Sequence, residues 1–452
     1  MDNPDIKFAI DHLSSRGQYY KRFYDYYAGV HAFNFSSDKF KNKFGKQLRE
    51  LKENLCRTVV RAPASRLEAI GFQAESEDIQ KKAWDIWKRN RMPRNSGKVH
   101  RESFKTGDAY VIVWPSPDGK ARFYPQMAGS VTIRRNADTG ETEMAAKVWI
   151  GADKKAYLNL YYPDRIEKYI SKGDTQTGGL SNASFEQRSV EGEQWPLANP
   201  YGKVPVFHFR TDEELQDYGT SILTDVIPLN DALNKSLADI FAAQEVNAMR
   251  QRWIAGLQFE KDEETGKEII PWDFNSQAWT SPEDTTKFGE FTDAELEQML
   301  KVKGECVRDI ALVSGIPPSY FNLDTADFPS GEALRKIEAR FTAIIQDAQR
   351  SFGETWGEAV KLALMIENVA AGSADSEIEV QWTDAAPIGE GEILDNLTKK
   401  KGLGWSIEQL QRDYGLTEKQ IQTMIKENAD RQKADIEAKA KFFDSGMTPE
   451  LA

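Results

Sequence analysis

The chain has 452 residues, enough for two to four ordinary domains or for one extended subunit of several parts. Hydrophobic residues make up 40% and charged residues 29%, which excludes a disordered chain and leaves a folded one with real cores. The formal net charge of −12 excludes tight, general binding of nucleic acid, because gripping phosphates needs basic surface; it leaves room for DNA that slides past without being held.

Only Cys56 and Cys306 are present, far apart, so no disulfide framework is expected. Both read as packing residues in a reducing compartment. No run of 18 apolar residues occurs, so no membrane span is expected. The start, "MDNPDIKFAIDHLSSRG", lacks the basic head and apolar core of a signal peptide. The expectation is a protein made and kept in cytosol-like surroundings.

The pattern predicts a helix over 5–30 that ends in the aromatic cluster "YYKRFYDYYAGV". Over 46–70, Leu48, Leu51, Leu55 and Val59, then Leu67 and Ile70, fall at helical spacing, and Pro63 should kink or split that segment. Residues 76–106 read as one or two further helices carrying Trp84 and Trp87. The texture then changes. "DAYVIVWPSPDGKARFYPQ", a segment turning at "NADTG" and another turning at "YPD" give three hairpin signals, hence an antiparallel meander over 108–170. Residues 171–194 are polar and rich in Gly and Ser, a mobile surface loop.

From 220 the chain reads as mainly helical. Leu229, Leu233, Leu237, Ile240 and Phe241 share a face, with Pro228 near the start. Residues 254–290 read as strand, acidic Gly turn and strand, with Trp272 and Trp279 in the irregular remainder. Thr292 with Glu295 fits a capping box for the next helix, which runs to about Val313. The segment "SGIPPSYFNLDTADFPSGEALRKIEARF" joins this helix to another that starts behind Ser330. The stripe Leu334, Ile337, Phe341, Ile344, Ala348, Phe352 and Trp356 continues to about Ala370, with Gly353 and Gly357 as bend sites. A strand, "EIEVQW", follows. Two helices capped by Ser406 with Gln409 and by Thr417 with Gln420 close the chain. The class is α+β, mainly helical.

The chemistry of common enzymes is missing from the sequence. It has no P-loop, no G-x-G-x-x-G opening a helix, no H-E-x-x-H and no C-x-x-C. His12, His31, His100 and His208 are scattered, a poor basis for a metal site. The acidic stretches "EKDEETGKE" and "SPEDTTK" lack EF-hand spacing and read as solvated turns. No cofactor is expected.

The order of parts is similar to that of the portal proteins of tailed double-stranded DNA bacteriophages, in particular the family typified by the portal of the Bacillus phage SPP1. Four stretches carry the resemblance: "NLCRTVVRAPASRLEAIGF" (54–72), "YGKVPVFHFR" (201–210), "YGTSILTDVIPLNDALNKSLAD" (218–239) and the Gly-Ile-Pro loop with its Ser-Gly-Glu-Ala-Leu helix start. One departure is the Phe-Pro of "ADFPSGE", where the family pattern has Asn or Gly.

The resemblance implies a ring, usually of twelve copies, at one capsid vertex. It implies a wing over 1–225, stem helices over 226–253 and 291–314, and a clip over 254–290. A tunnel loop over 315–330, a long helix and return strand over 331–387, and a crown over 388–452 complete the map. The implied partners are further copies of the chain, passing double-stranded DNA, the large terminase, head-completion or adaptor proteins, and the major capsid and scaffolding proteins. The implied location is the virion, with assembly in the host cytoplasm.

Helix packing permits such a ring. Twelve helices at 8–10 Å give a circumference of roughly 120 Å and, less a helix half-width, a bore of roughly 28 Å, enough for a duplex about 20 Å wide. Twelve such copies sum to about −144, a charge that repels phosphate. The tunnel-loop candidates are Pro317, Tyr320, Phe321, Asn322, Leu323, Asp324, Asp327 and Phe328. The acids keep the tip off phosphate, while Phe321, Leu323 and Phe328 pack either against neighbouring loops as a flexible collar or on their own subunit. In the clip, Trp272, Trp279, Glu263 and Glu264 are docking candidates, and its exposed strand edges are expected to pair with those of the next copy. The tryptophans fit a small local core equally well. The rival readings are another structural ring or head–tail connector component, and a metal-dependent enzyme using the acids near 262–268 or 283–284.

Overall fold

The computed structural model describes residues 3–30, 52–175, 180, 183–212, 214, 215, 217–248, 252–256, 285–290, 295–322, 331–369, 377–386, 390–414, 416, 420–431 and 433. The architecture is α+β and mainly helical, and its strands pair antiparallel.

Helix α1 spans Pro4–Ala28 and α2 spans Cys56–Ala64. Pro63 lies in the last turn of α2, so it ends the helix there. The helical spacing read through to Ile70 is therefore wrong: Ala69–Gln73 is a strand, β1. Ala69 and Phe72 are buried while Ile70 and Gln73 are exposed, and a strand partner far along the chain, joined with a register shift at Ala69–Gly71, overrides the local period. Helices α3 (Glu77–Arg89) and α4 (Met92–Thr106) follow. Ser76 caps α3, its side chain accepting from the Ile79 N–H.

The three hairpins form as expected: β2 (Asp108–Pro115) with β3 (Ala121–Gln126), β4 (Val131–Arg135) with β5 (Thr142–Ile150), and β6 (Ala156–Tyr161) with β7 (Arg165–Ser171). They do not make one meander. The first hairpin belongs to a separate three-stranded sheet, in which β2 is central and buried. Strands β8 (Phe185–Gln187) and β9 (Leu197–Ala198) both pair with β7, so part of the polar stretch 171–194 is sheet rather than loop. Strand β10 (Val206–Arg210) completes the three-stranded sheet against β2.

Helix α5 covers Val226–Ala248 and ends before the boundary expected at 253, because Arg252–Ala255 is a strand, β11, paired with β12 (Lys287–Glu290). Helix α6 covers Leu296–Ser314. Its N-cap is Glu295, with no side-chain cap bond; Thr292, expected to open a capping box, lies outside the described residues. Helix α7 covers Gly331–Ile366, about 54 Å at 1.5 Å per residue. Strand β13 (Glu379–Trp382) pairs with β1. Gly357 has a reason other than bending: a Cβ there would lie 2.3 Å from the Ile378 carbonyl. Helices α8 (Glu390–Gly402), which the sequence pattern did not single out, and α9 (Ile407–Asp413) follow. Ser406 caps α9 from the Gln409 N–H as expected, whereas Thr417 lies outside the described residues.

The chain forms two compact units. The first holds residues 1–18, 61–221 and 330–452; the second holds 19–60 and 222–329. Of the stretch expected as wing, the described residues 19–30 and 52–60 fall in the second unit, which also holds α5 and α6. In the first unit, Ala9, Ile10 and Leu13 of α1 pack on one sheet face with Met144, Val148, Leu158 and Leu160. A ring cluster seals α7: Trp356 sits edge-on to Trp87 at 4.9 Å and 4.4 Å from Phe209.

Candidate functional site

In the second unit, α5 and α6 pack against each other, and the β11–β12 ladder lies between them in sequence. Buried polar groups of α5 hold a separate stretch of chain. Asn230 Oδ1 accepts from the Leu55 N–H at 3.2 Å. One turn later Asn234 meets Glu53 as a strand would: Oδ1 accepts from the Glu53 N–H at 3.0 Å, and Nδ2 donates to the Glu53 carbonyl at 3.0 Å. Between them, Asp231 accepts from the Tyr26 hydroxyl at 2.7 Å. Burial, and then this bond, pushes the Tyr26 phenol up. From α6, Lys303 pairs with the Glu53 carboxylate at 2.9 Å. The signal was present in "LNDALN": polar residues one turn apart on a helix that must bury that face. The apolar stripe alone did not reveal it.

Other faces of this unit leave apolar groups in water. Leu312 is 68% exposed, and Leu300 and Val302 are each 55% exposed, all on α6. Val313, Phe241, Trp253 and Phe288 are exposed as well. Val302 and Val313 are eleven residues apart, so they share one helix face. Leu233, Ile240, Val307 and Ile310 are buried, whereas Phe241, expected on the buried stripe, is not.

At the end of α6, Gly315 takes φ 69°, a left-handed cap that stops the helix. Gly315, Ile316 and Pro317 are buried. Pro318–Phe321 forms a 3-10 turn in which the Tyr320 N–H donates to the Pro317 carbonyl at 3.0 Å. Tyr320 and Phe321 are half-buried and Asn322 is exposed with φ 53°. Four candidate residues, Pro317, Tyr320, Phe321 and Asn322, therefore share one structured turn. Leu323, Asp324, Asp327 and Phe328 lie outside the described residues, as do Trp272, Trp279, Glu263 and Glu264 in the 254–290 segment.

The first unit contains a polar centre that scattered histidines did not suggest. Asp108 is fully buried at the start of β2. Its carboxylate takes Arg16 Nη2 at 2.8 Å, His208 Nε2 at 2.8 Å and the Gly219 N–H at 2.9 Å. Arg16 also lies 4.1 Å over the Tyr218 ring, on which His12 stacks at 4.9 Å. Thr132 Oγ1 contacts His12 Nδ1 at 2.9 Å. Burial lowers the affinity of both histidines for a proton; in His208 it outweighs the bond to Asp108, and in His12 the Arg16 charge adds to it. His100, fully buried, is pushed down to about 3 by burial, and the Trp356 indole N–H donates to its Nε2 at 3.0 Å, which requires that nitrogen bare. Gly219 is required for a spatial reason: a Cβ would lie 2.2 Å from the Gly107 carbonyl. The "YGTS" stretch thus supplies a ring under Arg16, a backbone donor to the buried carboxylate and a close approach to the Gly107 backbone.

Arg66, from another of the quoted stretches, bonds the Ala385 carbonyl at 3.1 Å, pairs with Glu338 at 3.6 Å and lies over Phe341 at 5.1 Å. It ties the segment before β1 to α7 and to the chain after β13. Among the described residues, no cluster of three or more His, Cys, Asp or Glu is placed to hold a metal ion, and no helix is long and apolar enough to cross a membrane. Cys56 is buried, which pushes its thiol up to about 12.

These parts are a helix pair joined through a strand ladder, a Gly-capped Pro turn leading to a long helix, and an α+β body. The chain matches the family model described as phage portal protein, SPP1 Gp6-like, over residues 6–434. The chain belongs to this phage portal protein family. The portal protein of Mycobacterium phage D29 is 25% identical over 376 residues, covering 79% of this chain and 75% of that protein. The portal protein of Mycobacterium phage L5 is 23% identical over 384 residues, covering 81% and 76%. Among solved structures, a chain from the neck of a native gene transfer agent particle computed with C12 symmetry is similar at TM-score 0.47 and 14% identity, over 80% of this chain and 89% of that one. A chain from the virion of the native gene transfer agent is similar at TM-score 0.46 and 13% identity, over 85% and 95%. The portal family is a family of structural proteins of the phage particle.

Proposed function

We propose that about twelve copies of this portal protein close into a ring at one vertex of a phage capsid, and that double-stranded DNA passes through the ring in packaging and in ejection. The ring is also a platform for the large terminase and for head-completion proteins, and it meets the major capsid and scaffolding proteins at its rim. It works without catalysis or cofactor. In this reading, residues 226–253 and 291–314 are the stem, 254–290 the clip, 315–330 the tunnel loop and 388–452 the crown. Residues 1–225 form the wing, and 331–387 the long helix with its return strand.

The observation that carries the reading is the surface of the helix pair. A single chain leaves Leu300, Val302, Leu312 and Val313 of α6 in water, and apolar groups gathered on one element mark an association surface. A copy-to-copy contact in which the two sides differ generates a closed ring when its rotation closes. The acidic balance of −12 suits a conduit, since a basic wall would hold DNA and stall it.

Native mass measurement and negative-stain imaging of the purified protein test this. Closed annuli with a central hole are expected. A chain that stays monomeric at high concentration in every condition, together with virions that lack the gene and still fill with genome, would end the reading.

A further inference from the structure

Lys147 of β5 stands opposite Asn159 of β6, and Asn159 stands opposite Lys168 of β7. Arg188, just past β8, extends the row, its backbone N–H donating to the Lys168 carbonyl at 2.9 Å. Three cations and one amide therefore line up across neighbouring strands of a strongly acidic protein. Like charges on facing positions of a sheet oppose folding. Glu193 pairs with Lys168. No ion pair joins Lys147 or Arg188 to a carboxylate among the described residues.

The next row is aromatic. Trp149 and Tyr157 are cross-strand partners stacked at 5.3 Å with planes 13° apart. Lys147 Nζ lies 5.1 Å from the Trp149 centroid. The Arg188 guanidinium lies 5.5 Å from Trp149 and 5.1 Å from Tyr157. These rings hold the cationic heads in place without supplying a counter-ion. Asn159 Oδ1 accepts from Arg188 Nη2 at 3.2 Å, and Asn159 Nδ2 donates to the Tyr161 hydroxyl at 3.2 Å, so the amide is fixed from both ends. Lys147, Trp149, Tyr157 and Arg188 are half-buried, and Arg188 Nε is buried without a partner. Burial also pulls the Lys147 ammonium below its ordinary range, a strain that a bound anion would relieve.

The same geometry selects the kind of anion. Each ring stacks on the other and carries a cation, so neither offers the open platform that a nucleobase needs. Glu186 continues the aromatic row at its far end, and Asp153 accepts from the Tyr157 hydroxyl at 2.9 Å. These two carboxylates repel an unbroken phosphate backbone. They tolerate separate carboxylates spaced along a peptide, which Lys and Arg take up in charge-assisted hydrogen bonds. We infer that this sheet face, centred on Lys147 and Arg188, is a docking site for an extended acidic segment of a partner protein. The inference stands apart from the ring reading, since the whole site lies within the first unit of one chain.

Anisotropy of a labelled oligo-glutamate peptide, titrated with the full-length protein at low salt, tests it. Binding is expected, with about a tenfold loss in the double variant Lys147→Gln, Arg188→Gln, and weaker competition by duplex or single-stranded DNA than by unlabelled peptide. A wild-type protein that ignores the peptide, a double variant that binds equally well, or a nucleic acid that displaces the peptide more readily than unlabelled peptide overturns the inference. Acetylation footprinting of the wild-type protein needs no variant. Lys147 should react several-fold more slowly with the peptide present while exposed Lys154 keeps its rate, and an unchanged Lys147 rate also overturns it.

Discussion

In the first unit, three donors converge on one buried carboxylate, Asp108, and an indole N–H meets Nε2 of the buried His100 ring. In the second, the buried amides of Asn230 and Asn234 are spent on the backbone of residues 53–55, while Leu300, Val302 and Leu312 stay in water. At these two centres the first unit meets buried polar groups from within. The second is organised around chain that must be held and a surface that a single copy does not cover. The two units therefore differ in what their buried polar groups hold, and each half of that contrast can be attacked separately.

The largest expected effect is at Asp108. Asp108→Ala leaves the half-buried Arg16 charge and His208 without their acceptor, a change that typically costs about 3–5 kcal/mol when a buried pair is broken. Arg16 retains some contact with solvent, so about 3 kcal/mol is expected, measured as the loss in the denaturant midpoint of the first unit's transition. A loss below about 1 kcal/mol would mean that the network is not the keystone of that unit. Gly219→Ala comes next, at about 2–3 kcal/mol, because its Cβ would meet backbone rather than a movable side chain. Thermal unfolding measures it, and Thr220→Ala, with no such clash to relieve, is the control.

Acid probes the same unit without a mutation. His100 binds its proton only near pH 3 when folded but near 6.5 when unfolded, so the unfolded state takes up protons first as pH falls. Its contribution is intact above about 6.5 and is lost progressively below it, by about 2 kcal/mol at pH 5 relative to pH 7. His208 and His12 are depressed in the same direction and add to the loss. Denaturant unfolding at pH 7 and pH 5 checks the sign, and His100→Gln should flatten the slope. A first unit that is equally stable at both values would contradict the buried neutral rings.

Much of this contrast was legible in the sequence, and the part that was not has a common cause. Hairpin turns such as Asn136–Gly140 announce themselves locally, because the Asn136 side chain and a φ of 73° at Gly140 make the turn with no distant help. The helix pair was legible for a similar reason, since its length outlasts any short ambiguity. Strand β1 was misread as helix because its partner, β13, lies more than three hundred residues away and nothing near Ile70 reports it. The Asp108 centre was missed for the same reason: His12, Asp108, His208 and Tyr218 come from four separate stretches, and only the fold places them together. The turn that holds Pro317, Tyr320, Phe321 and Asn322 was readable because breakers and aromatics cluster within a few residues.

Turning to the second unit, Asn234→Ala removes both bonds to Glu53 and leaves the Glu53 N–H and carbonyl to find other partners. About 1–2 kcal/mol is expected, less than at Asp108 because neutral hydrogen bonds are lost rather than charged ones. Protease cutting near residue 53 should rise in parallel. Unchanged cutting would show that Lys303 and Asn230 suffice to seat that stretch.

The smallest expected effect on the fold separates the two units most sharply. Val302→Asp with Val313→Asp alters two exposed positions on one face of α6, and such surface changes usually stay within about 0.5 kcal/mol. Val and Asp have similar helix propensities, so α6 itself should survive. The unfolding curve of the isolated chain should therefore barely move. Assembly should fail, because two carboxylates per copy would have to be desolvated wherever that face meets its neighbour, and no counter-charge has been placed there. Analytical ultracentrifugation read beside the melting curve distinguishes the outcomes. A normal melt with lost rings assigns the face to copy-to-copy contact. A lowered melt with rings intact would mean that these valines serve their own chain rather than a neighbour.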